Sequence, residues 1–466
     1  MDEPSQEIKK PSLLDAIIPV ISLISMLAGT VYLFGLDSFG PNQVALILAA
    51  AIAAVIGIKN GHTWREIEKG MIETISMSLQ AILILLMVGA LIGAWILSGT
   101  VPSMIYYGVQ LMSPDYFYLT ACLVCALLGF SIGSSWTVAG TLGIGLMGIA
   151  AALDLSLPMS AGAIISGAYF GDKLSPLSET TNLAAAVTSN DLFDHIQHML
   201  WTTVPAILIT LLIFFALGLG NNSGVVIEDI IKLQNSMDQA FHISPLMLIP
   251  LFVLLTLAIK KQPALSTLIS GTVLGCIFAA IFQWDAAVAL ASDPNLHPLA
   301  AIFKGLFSAM FLGYTSVSGN ESLDSLLSKG GMSSMLTTIG LVVNAMAFGG
   351  AMARTGLLSR LVEAALSGVR SAGGLITATV GTCIGTNILA ADQYLSIVLP
   401  GQMFVKSYED HGLKSINLSR TLEDSGTLTS ALVPWNTCGA YMSATLGVST
   451  FYLSLIHISE PTRLGF

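Results

Sequence analysis

The sequence predicts an all-α polytopic membrane protein built as two inverted repeats whose helices are interrupted by polar breaks. Three observations carry that prediction. The 466 residues are 54% hydrophobic and only 10% charged, whereas a soluble domain carries about 25% charged residues. Uncharged stretches cover 74–114, 116–153, 195–227, 262–284 and 330–353, each longer than the roughly 20 apolar residues that cross a bilayer as a helix. Third, similar strings recur in the two halves with opposite charge bias. A transmembrane barrel would instead show alternating segments of about 10 residues, and none is seen.

The elements follow in order. Residues 1–12 (MDEPSQEIKKPS) are a polar amino terminus. Apolar spans are expected at 13–36, 42–58, 72–98, 199–219, 244–259, 264–283 and 333–353. Regions 116–152, 158–187, 373–404 and 428–456 are apolar but broken by Gly, Ser, Thr, Asn and Asp. The domain reading is a first repeat at 13–219, an external linker at 220–243, and a second repeat at 244–452. Residues 453–466 form an atypical tail. Glu460, Pro461 and Arg463 stand there where the repeat calls for another apolar span, so the tail reads as truncated or foreign.

Lys and Arg collect on the cytoplasmic side of a membrane. Lys9, Lys10, Lys59, Arg65 and Lys69 therefore belong inside, as does the turn at Lys260 and Lys261. The 220–243 segment, with one Lys, and the 285–296 loop, with no basic residue, belong outside. Of the net charge of −10, the 220–243 segment carries −2 (three acidic residues and Lys232). It argues for no acidic or nucleic-acid partner. The five cysteines sit in apolar context, and Cys122 with Cys125 reads as helix packing.

The halves resemble each other directly. HTWREIEKG at His62 matches HPLAAIFKG at His297, and GAWILSGTV at Gly93 matches GAMARTGLL at Gly350. GFSIGSSWTVAGT at Gly129 matches GTCIGTNILAADQ at Gly381. In that register, Gly133 to Asp172 and Gly385 to Asp424 are both 39 residues (172 − 133 and 424 − 385). The stretch after Gly99 has no basic residue, while its counterpart carries Arg354, Arg360 and Arg370. Opposite bias at matching places means opposite orientation. This is the architecture of secondary transporters, in which interrupted helices of the two repeats build the site near the midplane. Broken backbone survives there only in protein or against a cavity. Whether 116–152 is a re-entrant hairpin or a pair of short crossings is left open, while the basic loop Lys406 to Arg420 predicts that its second-half equivalent returns to the cytoplasm.

Four polar clusters are the candidate site: Ser131, Ser134, Ser135 and Thr137; Asp172 through Asn182, with Ser175, Ser178, Glu179 and Thr181 in it; Thr386, Asn387, Asp392 and Gln393; and Asp424, Thr427, Thr429, Ser430, Asn436 and Thr437. Hydroxyl, amide and carbonyl oxygens with one or two carboxylates suit a hard cation such as Na⁺. A carboxylate in a membrane can also take a proton, because burial raises its pKa. Asp172 and Asp424 are the expected Na⁺ ligands, and Asp172 is the exchangeable one. Pro176 disfavours helix at Ser175, so the chain is expected to unwind around Ser175 to Leu177 and free carbonyls for the cation. Glu179 either joins the site or pairs with Lys173 in a solvated vestibule. Single hydroxyls carry less, since Ser and Thr often bond their own helix.

Gly129 to Gly133 (GFSIG) fits the pattern of a hydrolase nucleophile elbow. That pattern needs a strand–turn–helix context and a histidine base. An intramembrane serine hydrolase is therefore a remote alternative. HIQHM at His195 is a weak metal site without further ligands nearby.

GDKLSPLSETTNLA at Gly171, the upstream LIGAWILSGTVPSMIYYG and the WREIEKG string resemble the NhaC family of Na⁺/H⁺ antiporters, from about residue 13 to about 450. The resemblance implies exchange of cytoplasmic Na⁺ for external H⁺ across a bacterial inner membrane, with no cofactor and with a homodimer as the assembly held open. Relatives in the family exchange malate and protons for lactate and Na⁺, or exchange amino acids. Hydroxyls flanking Asn182 and Asn387 could equally hold a carboxylate at helix N-termini.

Overall fold

A computed structural model of the chain describes residues 8–452 except 35–38, 220–226, 294, 319, 368 and 370. The expected tail at 453–466 lies outside the described residues. Among the described residues there is no strand. Nine helices there are long and apolar enough to cross a membrane. The protein is a multi-pass membrane protein.

The amino-terminal pair α1 (Leu13–Phe34) and α2 (Phe39–Lys59) pack together, and Lys59 Nζ meets Asp15 Oδ1 at 2.7 Å. Helix α3 (Trp64–Met77) begins with reciprocal caps. Glu66 N–H donates to Thr63 Oγ1 and Thr63 N–H donates to Glu66 Oε2, satisfying two donors that a helix start otherwise leaves open. Ser78 separates α3 from α4 (Leu79–Leu97), and α5 (Thr100–Leu111) follows.

The first broken region is a helical hairpin. Helix α6 (Phe117–Ile132) leads to a tip at Gly133 and Ser134. The chain then returns through α7 (Ser135–Val138), a π-turn (Ala139–Gly143) and α8 (Ile144–Ala152). At its foot, Ser156 N–H donates to the Tyr118 hydroxyl at 3.2 Å, so the chain comes back to the level at which it left. Gly133 has φ +72°, a left-handed conformation that side chains disfavour and a helix C-terminus commonly uses.

Helix α9 (Leu157–Leu174) runs parallel to α6 at backbone contact. Gly167 lies against Cys122 and Cys125, and Gly171 lies against Ala126 and Phe130. Cys122 and Cys125 thus pack helices, as expected. The chain breaks at 175–178 and resumes as α10 (Glu179–Val187). It then crosses as α11 (Leu192–Gly218). The described part of the expected linker is not a loop. It forms α12 (Ile227–Ala240), which packs on α5 and on α17 (Glu321–Leu327).

The second half repeats the order. After α13 (Ile249–Ile259), α14 (Ala264–Phe282) and α15 (Trp284–Leu290), helix α16 (Pro298–Leu312) leads through α17 to α18 (Met332–Arg354) and α19 (Leu357–Ser367). A second hairpin of α20 (Ala372–Leu389) and α21 (Gln393–Asp410) turns at 390–392, and the Thr379 and Tyr408 hydroxyls meet across it at 3.2 Å. The second interrupted helix comprises α22 (Ser415–Leu422), a π-turn (Glu423–Thr427) and α23 (Leu428–Ser430). A break at 431–436 and α24 (Thr437–Leu446) complete it.

The halves interlock reciprocally. Gly350 of α18 closes on Gly70 and Thr74 of α3, and Gly93 of α4 closes on Ala309 of α16. A β-carbon at Gly93 would stand 2.0 Å from the Ala309 carbonyl oxygen. Paired crosswise contacts of this kind are what a pseudo-two-fold relation between repeats generates.

The register of the repeat differs from the expected one. Helices after each tip, each foot and each break start 258 residues apart (393 − 135, 415 − 157 and 437 − 179). The Gly133–Gly385 match implies 252 instead (385 − 133). The reason is that Gly385 lies inside α20, which continues to Leu389 before turning at Ala391 (φ +56°). In the structural register Ser134 corresponds to Asp392 and Ser178 to Asn436, each an N-cap. Asp172 corresponds to Ser430, not to Asp424.

Candidate functional site

Both hairpin tips and both helix breaks meet around one cavity of about 440 Å³. Its wall is made by 133–137, Asp172 with 177–180, 392–394, Thr437 and Cys438, and it extends to Met77, Ser78 and the 261–264 turn. The Trp136 ring stacks on Tyr441 at 4.1 Å, and the Tyr441 hydroxyl donates to Trp136 O at 2.8 Å, holding the first tip to the second half.

Asp172, in the last turn of α9, is 7% exposed and reaches the cavity wall. Its Oδ2 accepts the Ser135 backbone N–H at 2.9 Å, and its Oδ1 is buried with no partner. A buried carboxylate with one open oxygen is an acceptor waiting for a cation or a proton. Ser134 caps the returning limb by accepting the Thr137 N–H and hydroxyl at 3.2 and 3.0 Å, and Ser134, Ser135 and Thr137 all line the cavity.

The unwinding at Pro176 is present over 175–178, but its carbonyls are largely taken. Thr181 Oγ1 donates to Lys173 O at 2.9 Å, and Asn182 Nδ2 donates to Pro176 O and Ser178 O at 3.0 and 2.7 Å. Ser175 Oγ accepts the Leu177 N–H, and Ser178 caps α10. Thus Ser175, Thr181 and Asn182 hold the break open, while Ser178 and Glu179 face the cavity. Glu179 does not pair with Lys173; its Oε2 accepts the Tyr394 hydroxyl at 2.5 Å. Lys173 is buried and forms an ion pair with Asp424 of the second half.

In the second half, Asp392 caps α21 by accepting the Leu395 N–H at 2.9 Å and lines the cavity. Asn387 and Asn436 do not face it. Asn387 Nδ2 donates to Gly426 O and Thr429 Oγ1, and Asn436 Nδ2 donates to Asn387 O and Oδ1, which staples hairpin to break. The Thr386 hydroxyl donates to Thr382 O in its own helix, Ser430 Oγ donates to Thr427 O, and the Thr427 hydroxyl is buried without a partner. Gln393 and Thr437 line the cavity. Ser131 donates to Leu127 O on an exposed face of α6, away from it.

Sequence reasoning passed over Tyr394 and Glu423. Glu423 is fully buried, and its Oε1 accepts the Thr180 hydroxyl at 3.0 Å. The available signal was a second carboxylate directly before Asp424 in TLEDSGT.

A family model described as the Na⁺/H⁺ antiporter family matches residues 167–458, which include both breaks and the second hairpin. The chain belongs to this family. It is 38% identical to the Na⁺/H⁺ antiporter NhaC of Alkalihalophilus pseudofirmus over 87% of this chain and 84% of that protein. It is 35% identical to the malate-2H⁺/Na⁺-lactate antiporter of Bacillus subtilis over 97% of this chain and 93% of that one. It is 36% identical to the arginine/ornithine antiporter ArcD of Halobacterium salinarum over 94% and 87%. Members of this antiporter family, as these names show, are not all named for the same cargo.

Proposed function

We propose that the protein is a secondary antiporter that exchanges cytoplasmic Na⁺ for external H⁺ across a bacterial inner membrane, with Asp172 as the exchangeable carboxylate. The observation that carries this reading is the buried Asp172 on the cavity wall, with one oxygen on the hairpin tip and the other without a hydrogen-bond partner. Na⁺ and H⁺ compete for one carboxylate, so loading either excludes the other. The Ser134, Ser135, Thr137 and Ser178 hydroxyls on the same wall supply further oxygen ligands of the kind a hard cation takes. The cavity extends to the Lys261 turn, the side assigned to the cytoplasm by the basic residues, so the site is inward-facing. Rocking of the hairpins and interrupted helices against the remaining spans then exposes it outside. Na⁺-dependent proton movement by the purified protein in liposomes tests the assignment, and its absence in wild type rejects it.

A second reading keeps the same site but adds an organic anion. Four helix N-termini, capped by Ser134, Ser178, Asp392 and Asn436, converge on the cavity. Such termini favour a carboxylate, and the volume exceeds what bare Na⁺ fills. Adding malate and lactate to the same assay separates the two: organic-anion exchange requires their flux to be coupled to Na⁺.

A further inference from the structure

Two contacts meet on adjacent residues of the first hairpin tip. Ser135 gives its backbone N–H to Asp172 Oδ2 at 2.9 Å, and the Trp136 carbonyl takes the Tyr441 hydroxyl at 2.8 Å. Tyr441 belongs to α24 of the second half and is fully buried. Its ring lies flat on the Trp136 ring, with centres 4.1 Å apart and planes at 7°. Gly140 makes the room. A β-carbon there would stand 2.5 Å from Tyr441 Oη.

The repeat ties this clamp to the carboxylate. In the structural register Leu183 stands at the place of Tyr441 (441 − 183 = 258), and Ser430 stands at the place of Asp172 (430 − 172 = 258). The tyrosine thus accompanies the aspartate, and the leucine accompanies the serine. Other titratable groups lie around the Asp172 end of α9. They are Tyr169 one turn before it, Glu179 on α10, His195 and His198 on α11, Lys173 with its partner Asp424, and Glu423 beside Asp424. Asp392, Tyr394, Cys438 and Lys261 share the cavity wall. All are common to wild type and to the variants below, so they set where a pH profile lies and not how far it moves.

Building on the antiport reading, we propose that Tyr441 is a positioning residue for Asp172. From the second half it holds the first tip so that the Ser135 N–H stays on the exchangeable carboxylate. A donated N–H favours the ionised form, which is the form that binds Na⁺. Without the Tyr441 hydroxyl the tip keeps its seat at Gly133, which lies against Leu177 and Ser178. It loses its second anchor, and the bond to Oδ2 lengthens. Asp172 then takes a proton at higher pH, so Na⁺ begins to lose the competition at higher pH.

The pH profile tests this. The half-saturating Na⁺ concentration for proton flux is measured in liposomes across pH, and the pH below which it starts to rise is read. Tyr441→Phe keeps the stacked ring and loses the hydroxyl, while Gly140→Ala keeps the tyrosine and displaces its hydroxyl. Both should move that pH upward by about half a unit to one unit, part of what a hydrogen bond to a charged group contributes. Tyr408→Phe removes a hydroxyl that bonds across the second hairpin and should leave the pH where it is. A break point unmoved or lowered in either tip variant, or moved equally by Tyr408→Phe, overturns the role of Tyr441 and leaves antiport standing. No Na⁺-dependent flux from wild type at any pH overturns the antiport reading itself. Should Tyr441→Phe not insert, Gly140→Ala decides alone.

Discussion

Lys173 and Asp424 form an ion pair that joins the last turn of α9 in the first half to the π-turn of the second. Lys173 is 3% exposed and Asp424 19%. The pair therefore ties the two interrupted helices together within the protein.

Lys173→Met should be strongly destabilising. Removing one member of a buried pair costs about 3–5 kcal/mol, because the other charge is left unpaired, and the partial exposure of Asp424 puts the loss near the lower end. Unfolding of the detergent-solubilised protein measures it. The double variant Lys173→Met/Asp424→Asn should recover most of the loss. A double variant no more stable than the single one would show that the pair is not what joins the helices.

Asp172→Asn keeps the acceptor for the Ser135 N–H but removes the exchangeable charge. Na⁺-driven proton flux in liposomes should fall to background while the protein still inserts. In wild type, competition makes apparent Na⁺ affinity fall by about tenfold per pH unit for each displaced proton once the pH is below the carboxylate's pKa, and level off above it. Wild-type flux in the variant would make Asp172 structural.

Gly171→Val should disrupt the α6–α9 contact. A β-carbon at Gly171 would lie 2.2 Å from Ala126 O and 2.4 Å from Phe130 N, both backbone atoms that cannot swing aside. Overpacking of this kind costs about 1–3 kcal/mol. A drop in melting temperature is the readout, with Gly373→Ala as the control, since nothing lies within 4 Å of a β-carbon there.

The charge asymmetry places α3 inside and α12 outside. Cysteines at the exposed positions Lys69 and Gln239, probed on intact cells with a membrane-impermeant thiol reagent, should label at Gln239 alone. Labelling at Lys69 alone inverts the orientation.

The α3 cap should respond to acid. The Thr63 N–H and hydroxyl hold the Glu66 carboxyl below its ordinary value of 4.5. A group depressed on folding contributes stability that is present above its unfolded pKa and is lost as pH falls through the folded one. Start-of-helix protection from hydrogen exchange at α3 should therefore weaken below about pH 4.5, and Glu66→Gln should remove that pH dependence.

The spans were legible because membrane crossing is written in one dimension, as apolar length. The break at Pro176 was legible for a similar reason, since a proline acts on its own neighbours. What escaped depended on where helices stop and on which partner is nearest in space. Gly133 and Gly385 sit in similar strings, yet one ends a helix and the other lies within α20, so the string match shifted the repeat register by six residues (258 − 252). Lys173 lies near Glu179 in sequence but pairs with Asp424, 251 residues away. No local pattern announces such a choice. Thr181 and Asn182 were read as ligands because their chemistry suits a cation, while in space they bond the carbonyls of the break itself.

The crosswise glycine contacts also set a timetable for biogenesis. Gly70 is synthesised 280 residues before Gly350 (350 − 70), and at about 5–20 residues per second the interval is roughly 15 to 55 s. During that interval α3 waits at the membrane with its Gly70 face uncovered. A nascent chain stalled before α18 should be a ready substrate for quality-control proteases, and one released after α18 should be spared.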